Sequence, residues 1–277
     1  MTVVAVAQLK LTVGDQEPNR SAAAAAISEA AAAGAGLVVL PELSDSGYVF
    51  ASPSEARSLA SPASDSPALR LWRSLAVTHD LVIAGGFCEL GADGRLYNSA
   101  ALVDSSGVRA VYRKAHLWDT EKQVFTPGDA PPPVVDLPMG RIGLMICYDL
   151  EFPEWVRLAA LAGTDLLAVP VNWPRYSWPA GERPAEVIKA QAAAASNAMF
   201  VAVADRCGEE RGVDWINGSM IADPGGYPVA GPSLTSSPDL LTADCDLRRA
   251  RDKSVSPGND LLADRRPALY GGVAAPR

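Results

Sequence analysis

The chain has 277 residues, 48% of them hydrophobic, enough to bury a large core and too many for a disordered protein. Its formal net charge of −8, with no basic run, turns the average surface against nucleic acid and against an anionic membrane as partners. Apolar stretches such as 36–40 and 166–171 are strand-sized and far short of a bilayer span, and MTVVAVAQLK reads as a strand rather than a leader peptide, so a cytoplasmic location is expected.

In chain order, a strand is expected near Val3 to Gln8, an Ala-rich helix near Arg20 to Ala33 and a strand at Leu37 to Leu40. A helix near Pro67 to His79 and a strand at Leu81 to Phe87 continue this β-α-β-α rhythm, the pattern of a layered α/β protein. Tyr97 to Val103 and Val108 to Lys114 flank the turn Asp104-Ser105-Ser106-Gly107, a hairpin that makes the sheet mixed. Further strands are expected at Arg141 to Cys147, Asp165 to Val171 and Met199 to Ala204, with helices near Pro153 to Ala162 and Pro184 to Asn197 between them. Ile216 to Ala222 and Tyr227 to Ala230 flank a second turn, and Asp239 to Asp246 forms one more strand. With no linker and no repeat, residues 1–277 read as one domain with 264–277 as a polar tail.

Cys88, Cys147, Cys207 and Cys245 are widely spaced and form no CxxC pair, which argues against a zinc ribbon, a thioredoxin-type motif or a disulfide scaffold. With His79 and His116 as the two histidines, a histidine-rich metal centre is excluded. Cys147 differs from the other cysteines in its setting. It stands where the apolar run RIGLMI meets the polar turn CYDLEFPE, at a sheet edge where backbone N–H groups can face a developing oxyanion. A small buried cysteine is the commoner role, so the case needs partners. Glu42 lies directly beyond an apolar strand and Pro41, and Lys114 closes a hairpin strand, with Glu121 seven residues later. Each alone reads as an ordinary solvated charge.

Taken together, these segments resemble the nitrilase superfamily of carbon-nitrogen hydrolases, in its aliphatic-amidase-like form. The resemblance rests on PEL at Glu42, RKAHLW at Lys114, FTPG, and ICYDLEFPE at Cys147, in the family's chain order. It extends more weakly through AVAQLKLTVGD, GSMIADPGGYP and RRPALY. It implies a four-layer αββα sandwich with mixed sheets, commonly a homodimer or higher homo-oligomer, and it places the family's fourth functional carboxylate at Glu121. It also implies a Glu42–Lys114–Cys147 triad that hydrolyses a small non-peptide amide through a thioester, with no metal or organic cofactor. The backbone N–H of Tyr148 would help Lys114 hold the oxyanion. Tyr48, Trp118, Asn172, Trp173 and Tyr176 are candidate pocket walls. Where many relatives have Glu-Asn at the end of the late helix, this chain has Ser196-Asn197.

Competing readings use the same residues or discard them. A nitrilase would use the same triad, though Cys-Trp-Glu is its usual sequence where this chain has Cys147-Tyr148-Asp149. An N-carbamoyl amidohydrolase would want a basic group for a substrate carboxylate, for which Arg175 or Arg206 could serve. A papain-like hydrolase would need His116 or His79 as its base. A binding module without activity would have no use for all four functional positions.

Overall fold

In the computed structural model, which describes residues 1–273 and 275, two β-sheets face each other between two layers of helices. The first sheet is built on β1 (Thr2–Lys10), β2 (Ala35–Val39), β3 (Val82–Leu90), β4 (Leu96–Asp104) and β5 (Gly107–Arg113), side by side in that order. The short strand Arg206–Cys207 and the antiparallel strand Asp239–Cys245 pair with the free edge of β1, which completes seven strands. The helices of this half are α1 (Gln16–Ala32), α2 (Pro53–Leu59), α3 (Pro67–His79) and the single turn α4 (Glu121–Val124). The second sheet runs from β6 (Val134–Leu137) through β7 (Gly140–Leu144), β8 (Leu166–Pro170) and β9 (Phe200–Ala204) to the strands Met220–Ala222 and Pro228–Ala230. Helices α5 (Pro153–Leu161) and α6 (Ala185–Asn197) connect its parallel strands.

The layering follows from the two-residue period of the strands. Along β1, Val4 and Val6 join the core between the sheets with Leu37, Val39, Ile142 and Leu144. Ala5, Ala7 and Leu9 face the other way, onto Ile27 of α1 and Trp72 of α3. Both faces are covered, so these strands read as continuous apolar runs without alternation. The outer helices carry local start and stop signals. Ser66 caps the N–H of Leu69 ahead of Pro67, and Asp80 closes α3 in the left-handed region at φ 52°.

Strand direction puts the functional segments at one edge. β1, β2 and β3 are parallel, and β5, two antiparallel steps from β3, runs the same way again. β7, β8 and β9 are likewise parallel. Glu42, Lys114, Cys147, Asn172 and Asp205 therefore all follow the C-terminal ends of strands.

The expected α/β layers and mixed sheets are those observed, with local differences. Helix α1 starts at Gln16 rather than Arg20, because Pro18 lies in its first turn, where the missing N–H has no carbonyl to lose. The strand expected over 141–147 ends at Leu144, and Cys147 opens a 3₁₀ turn over Cys147–Glu151. Helix α2 and strand β6 were not anticipated. The run Pro131-Pro132-Pro133 hides the four-residue β6 behind a loop-like composition. In the tail, Pro267–Leu269 and Gly271–Val273 form 3₁₀ turns, and residues 274, 276 and 277 lie outside the described residues. No helix of the described residues is long and apolar enough to cross a membrane.

Candidate active site

Glu42 is delivered by β2 and held by its neighbours' backbones. The Gly86 N–H donates to the Pro41 carbonyl at 3.0 Å, and the Ser44 N–H donates to the Gly86 carbonyl at 2.9 Å. A Cβ at Gly86 would stand 2.4 Å from the Leu43 nitrogen and 2.6 Å from the Glu42 Cα, so only glycine lets β3 approach this closely. From the second sheet, the Asn172 side chain donates to the Glu42 carbonyl at 2.9 Å. The glutamate is thus pinned between the two sheets.

Its carboxylate is fully buried and unevenly used. Oε1 accepts from Lys114 Nζ and from Asn98 Nδ2, both at 2.7 Å, whereas Oε2 has no hydrogen-bond partner among the described residues. Lys114 Nζ also donates to Glu121 Oε1 at 2.7 Å, so two of its three N–H bonds are committed and one is free. Glu121, the first residue of α4, accepts from the Tyr48 hydroxyl at 2.6 Å and from the Trp118 N–H at 3.1 Å.

Cys147 leaves the sheet at φ 47°, a left-handed conformation that is strained for a residue with a side chain. The turn behind it is clamped by buried Asp149. That carboxylate accepts from the Tyr112 hydroxyl at 2.7 Å, from the His116 N–H at 3.0 Å and from the Ile146 N–H at 3.3 Å. The Cys147 thiol faces the Asn172 carbonyl at 3.9 Å, and the charges of Glu42, Lys114 and Glu121 all act on it. One lysine and two carboxylates therefore act electrostatically on a buried thiol.

Burial, reinforced by the neighbouring Glu121 charge and only partly offset by Lys114, raises the Glu42 carboxyl from 4.5 to about 7. Burial followed by the Glu42 charge also holds the Cys147 thiol well above its ordinary value, so the resting sulfur carries its proton. For Lys114, burial works against the charge, but Glu121 and Glu42 outweigh it and keep the ammonium protonated far into the alkaline range. The cluster holds a protonated thiol beside a carboxyl poised near neutrality and a permanent cation.

The recess at Cys147 has a volume of about 20 Å³, room for one water-sized group, between Trp118, Trp173 and Tyr148. It shares Trp118, Pro174 and Tyr176 with an outer cleft of about 650 Å³, into which Tyr48, Glu121 and Arg175 also face. Tyr48, Trp118, Tyr148, Trp173 and Tyr176 thus border the recess or the cleft, and Asn172 meets the site through its carbonyl at the thiol while its side-chain N–H fastens Glu42. Of the two arginines considered for a substrate carboxylate, Arg206 is excluded by its own partners. It is fully buried in a two-pronged pair with Glu210, at 2.9 and 3.0 Å. Arg175 remains at the cleft, with Nε bonded to the Trp215 carbonyl at 3.0 Å. His116 Nδ1 lies 2.7 Å from Asp149 Oδ1 with its ring stacked on Phe152, and His79 meets Ser28. Both imidazoles are committed to partners other than the thiol. Among the described residues, no group of three histidine, cysteine or carboxylate side chains is disposed to hold a metal ion.

Asn98 and Asp149 escaped the sequence reading as members of the site. For Asn98 a signal existed, since it is an amide, next to Ser99, in the mainly apolar strand LYNSAALV.

With this geometry in view, the relatives are informative. The carbon-nitrogen hydrolase family profile matches residues 3–253. A nitrilase of Pyrococcus abyssi is 36% identical over 270 residues, which cover 98% of this chain and 99% of that one. A citrullinase of Francisella tularensis is 32% identical over 292 residues, covering 99% of each. Among solved structures, a mutant of the amidase from Nesterenkonia sp. AN1, showing Michael addition of acrylamide at its active-site cysteine, superposes with a TM-score of 0.82. It has 30% identity over 99% of this chain and 100% of its own. The chain belongs to the carbon-nitrogen hydrolase family, in the nitrilase superfamily, and is an enzyme acting on carbon–nitrogen bonds.

Proposed function

We propose that the protein hydrolyses a small non-peptide amide to a carboxylic acid and ammonia, with Cys147 as nucleophile, Glu42 as proton shuttle, Lys114 as oxyanion partner and Glu121 as the orienting carboxylate. One observation carries this reading: among the described residues, beside the buried thiol, one oxygen of Glu42 and one N–H of Lys114 are left unpartnered while their other polar atoms are engaged by Lys114, Asn98 and Glu121. Those are the acceptor and the donor that acyl transfer needs.

In acylation, Cys147 Sγ bonds to the amide carbon as its proton passes to Glu42 Oε2. The carbonyl oxygen becomes an oxyanion facing the third N–H of Lys114, helped by the backbone N–H of Tyr148 at the start of the 3₁₀ turn. Glu42 then protonates the amide nitrogen, the carbon–nitrogen bond breaks, and ammonia departs from a thioester. Water attacks that thioester while giving a proton to Glu42, the carbon–sulfur bond breaks, and the thiolate recovers the proton. Glu121 holds Lys114 in line throughout. A Glu42 carboxyl near 7 suits both proton acceptance and return at neutral pH. The narrow recess at the sulfur suits a primary amide, with the rest of the substrate in the outer cleft.

An N-carbamoyl substrate with a carboxylate is a second reading, favoured by the Arg175 guanidinium at that cleft and by likeness to a protein named citrullinase. Turnover of short aliphatic amides, N-carbamoyl acids and nitriles by the wild type separates these readings from each other and from nitrile hydrolysis. The decisive control is Cys147→Ala, which is expected to abolish turnover, while Cys88, Cys207 and Cys245 substitutions retain most of it. Substantial activity in Cys147→Ala overturns the mechanism, and nitriles turning over as fast as amides overturn the substrate class.

A further inference from the structure

Strand β4 places Asn98 against the carboxylate of Glu42 and against the backbone of Lys114. Its side-chain amide donates to Glu42 Oε1 at 2.7 Å, and its backbone carbonyl accepts from the backbone N–H of Lys114 at 2.8 Å. The residue is 1% exposed, and its Oδ1 has no partner among the described residues. The orientation of the amide follows from charge, since turning Oδ1 toward the carboxylate would set two acceptors against each other. An amide here neither takes nor gives up a proton at any working pH. A buried, unreactive donor on one oxygen of a carboxylate has one clear consequence: it makes the two oxygens unequal.

We infer that Asn98 is a positioning residue that selects which oxygen of Glu42 carries the catalytic proton. Together with Lys114 it saturates Oε1, so the basic lone pair resides on Oε2, and Glu42 is prevented from rotating about its terminal bond to offer either oxygen. Without Asn98, the Lys114 ammonium alone would hold Oε1, and the carboxylate plane could tilt about its terminal bond, so that the second oxygen no longer keeps a fixed direction. The same hydrogen bond favours the ionised carboxylate, offsetting part of the burial that raises Glu42 to about 7. Asn98 therefore acts on both the direction and the basicity of the shuttle without touching the substrate.

This inference rests on Glu42 being the proton shuttle, and its test keeps the two claims apart. Asn98→Leu keeps the approximate shape and removes the donor, and Asn98→Ala removes both. Measured on the full-length protein, the acid limb of the kcat/KM profile for a short amide is expected to move up by about one pH unit, since a lost charge-assisted hydrogen bond is worth about that much. The plateau is expected to fall roughly tenfold, mainly in kcat, because the donor acts on a step of the chemistry. Alkylation of Cys147 by iodoacetamide, followed by mass against pH, gives the same readout without turnover, and thermal melts report folding. An unmoved acid limb in either folded variant, or a loss of activity that merely tracks a lowered melting temperature, overturns the role of Asn98. Glu42→Gln distinguishes the deeper failure. If that variant keeps the wild-type acid limb, Glu42 is not the titrating group and the proposed mechanism falls with it. If it loses the limb while Asn98→Leu leaves it in place, only the present inference fails.

Discussion

Replacing Glu42 by glutamine alters the site by little more than one proton-accepting atom. The amide oxygen of glutamine can occupy the place of Oε1 and still accept from Asn98 and Lys114, each at 2.7 Å in the wild type. Its NH₂ group then falls where the unpartnered Oε2 stood, so a free acceptor becomes a donor. The backbone bonds of this segment to Gly86 and Asn172 do not involve the side chain, so fold and binding should persist. On the proposed mechanism this removes general base and general acid catalysis, and the acylation rate should fall by about 10² to 10⁴, roughly 3 to 5 kcal/mol of barrier. Rapid-quench measurement of ammonia release under single-turnover conditions isolates that step, and the pH profile should lose its rise through about 7, the value at which the native carboxyl ionises. A Glu42→Gln enzyme within tenfold of the wild type at every pH would refute the assignment of Oε2 as proton acceptor.

Tyr48→Phe removes the 2.6 Å donor to Glu121 while preserving the ring, and kcat/KM should drop about tenfold at an unchanged melting temperature, measured by steady-state assay and circular dichroism. Arg206→Ala strands the buried Glu210 carboxylate, which also accepts from the backbone N–H groups of Tyr48 and Val49, and should destabilise the protein by about 3–5 kcal/mol in urea titrations. Buried Asp45, Asp205 and Glu42 have carboxyls raised to about 6, about 7 and about 7, so between pH 4.5 and 7 the folded chain retains protons that the unfolded chain has released. Stability should therefore fall as pH rises through that window, with a calorimetric melting temperature several degrees lower at pH 7.5 than at pH 5, at about 2–4 °C per kcal/mol. A melting temperature that climbs over the same interval would contradict the burial argument. His116→Asn should retain most activity while loosening the Asp149 clamp, and a loss as severe as that of Lys114→Ala would return the histidine to the mechanism.

Much of this protein is legible in the sequence because its signals are local. A strand covered on both faces must be apolar throughout, so the runs at Val3 to Gln8, Leu37 to Leu40 and Met199 to Ala204 could be recognised without knowing their neighbours. Caps and prolines mark helix limits in the same way, and α3 runs from Pro67 to His79 as its Ser-Pro start and polar end imply. Glu42, Lys114 and Cys147 each follow such a strand, but it is the resemblance to the nitrilase superfamily, carried by PEL, RKAHLW and ICYDLEFPE, that sets them apart from ordinary residues.

Tertiary structure decided everything that depends on which atoms meet across long sequence separations. Nothing in the text of the chain says that Lys114 divides its N–H bonds between Glu42 and Glu121, or that Asn98 takes the same Glu42 oxygen. Arg175 and Arg206 look alike as sequence, yet one opens on the cleft and the other is consumed by Glu210. Cys147 reads as the last residue of a strand, whereas the fold releases it early into a turn at φ 47°, anchored by Asp149 through Tyr112 and His116. The physical reason is the same in each case. Burial and hydrophobic periodicity are properties of a segment, but hydrogen-bond partners and shifted protonation belong to the space between segments, and that space exists only once both sheets have closed on each other.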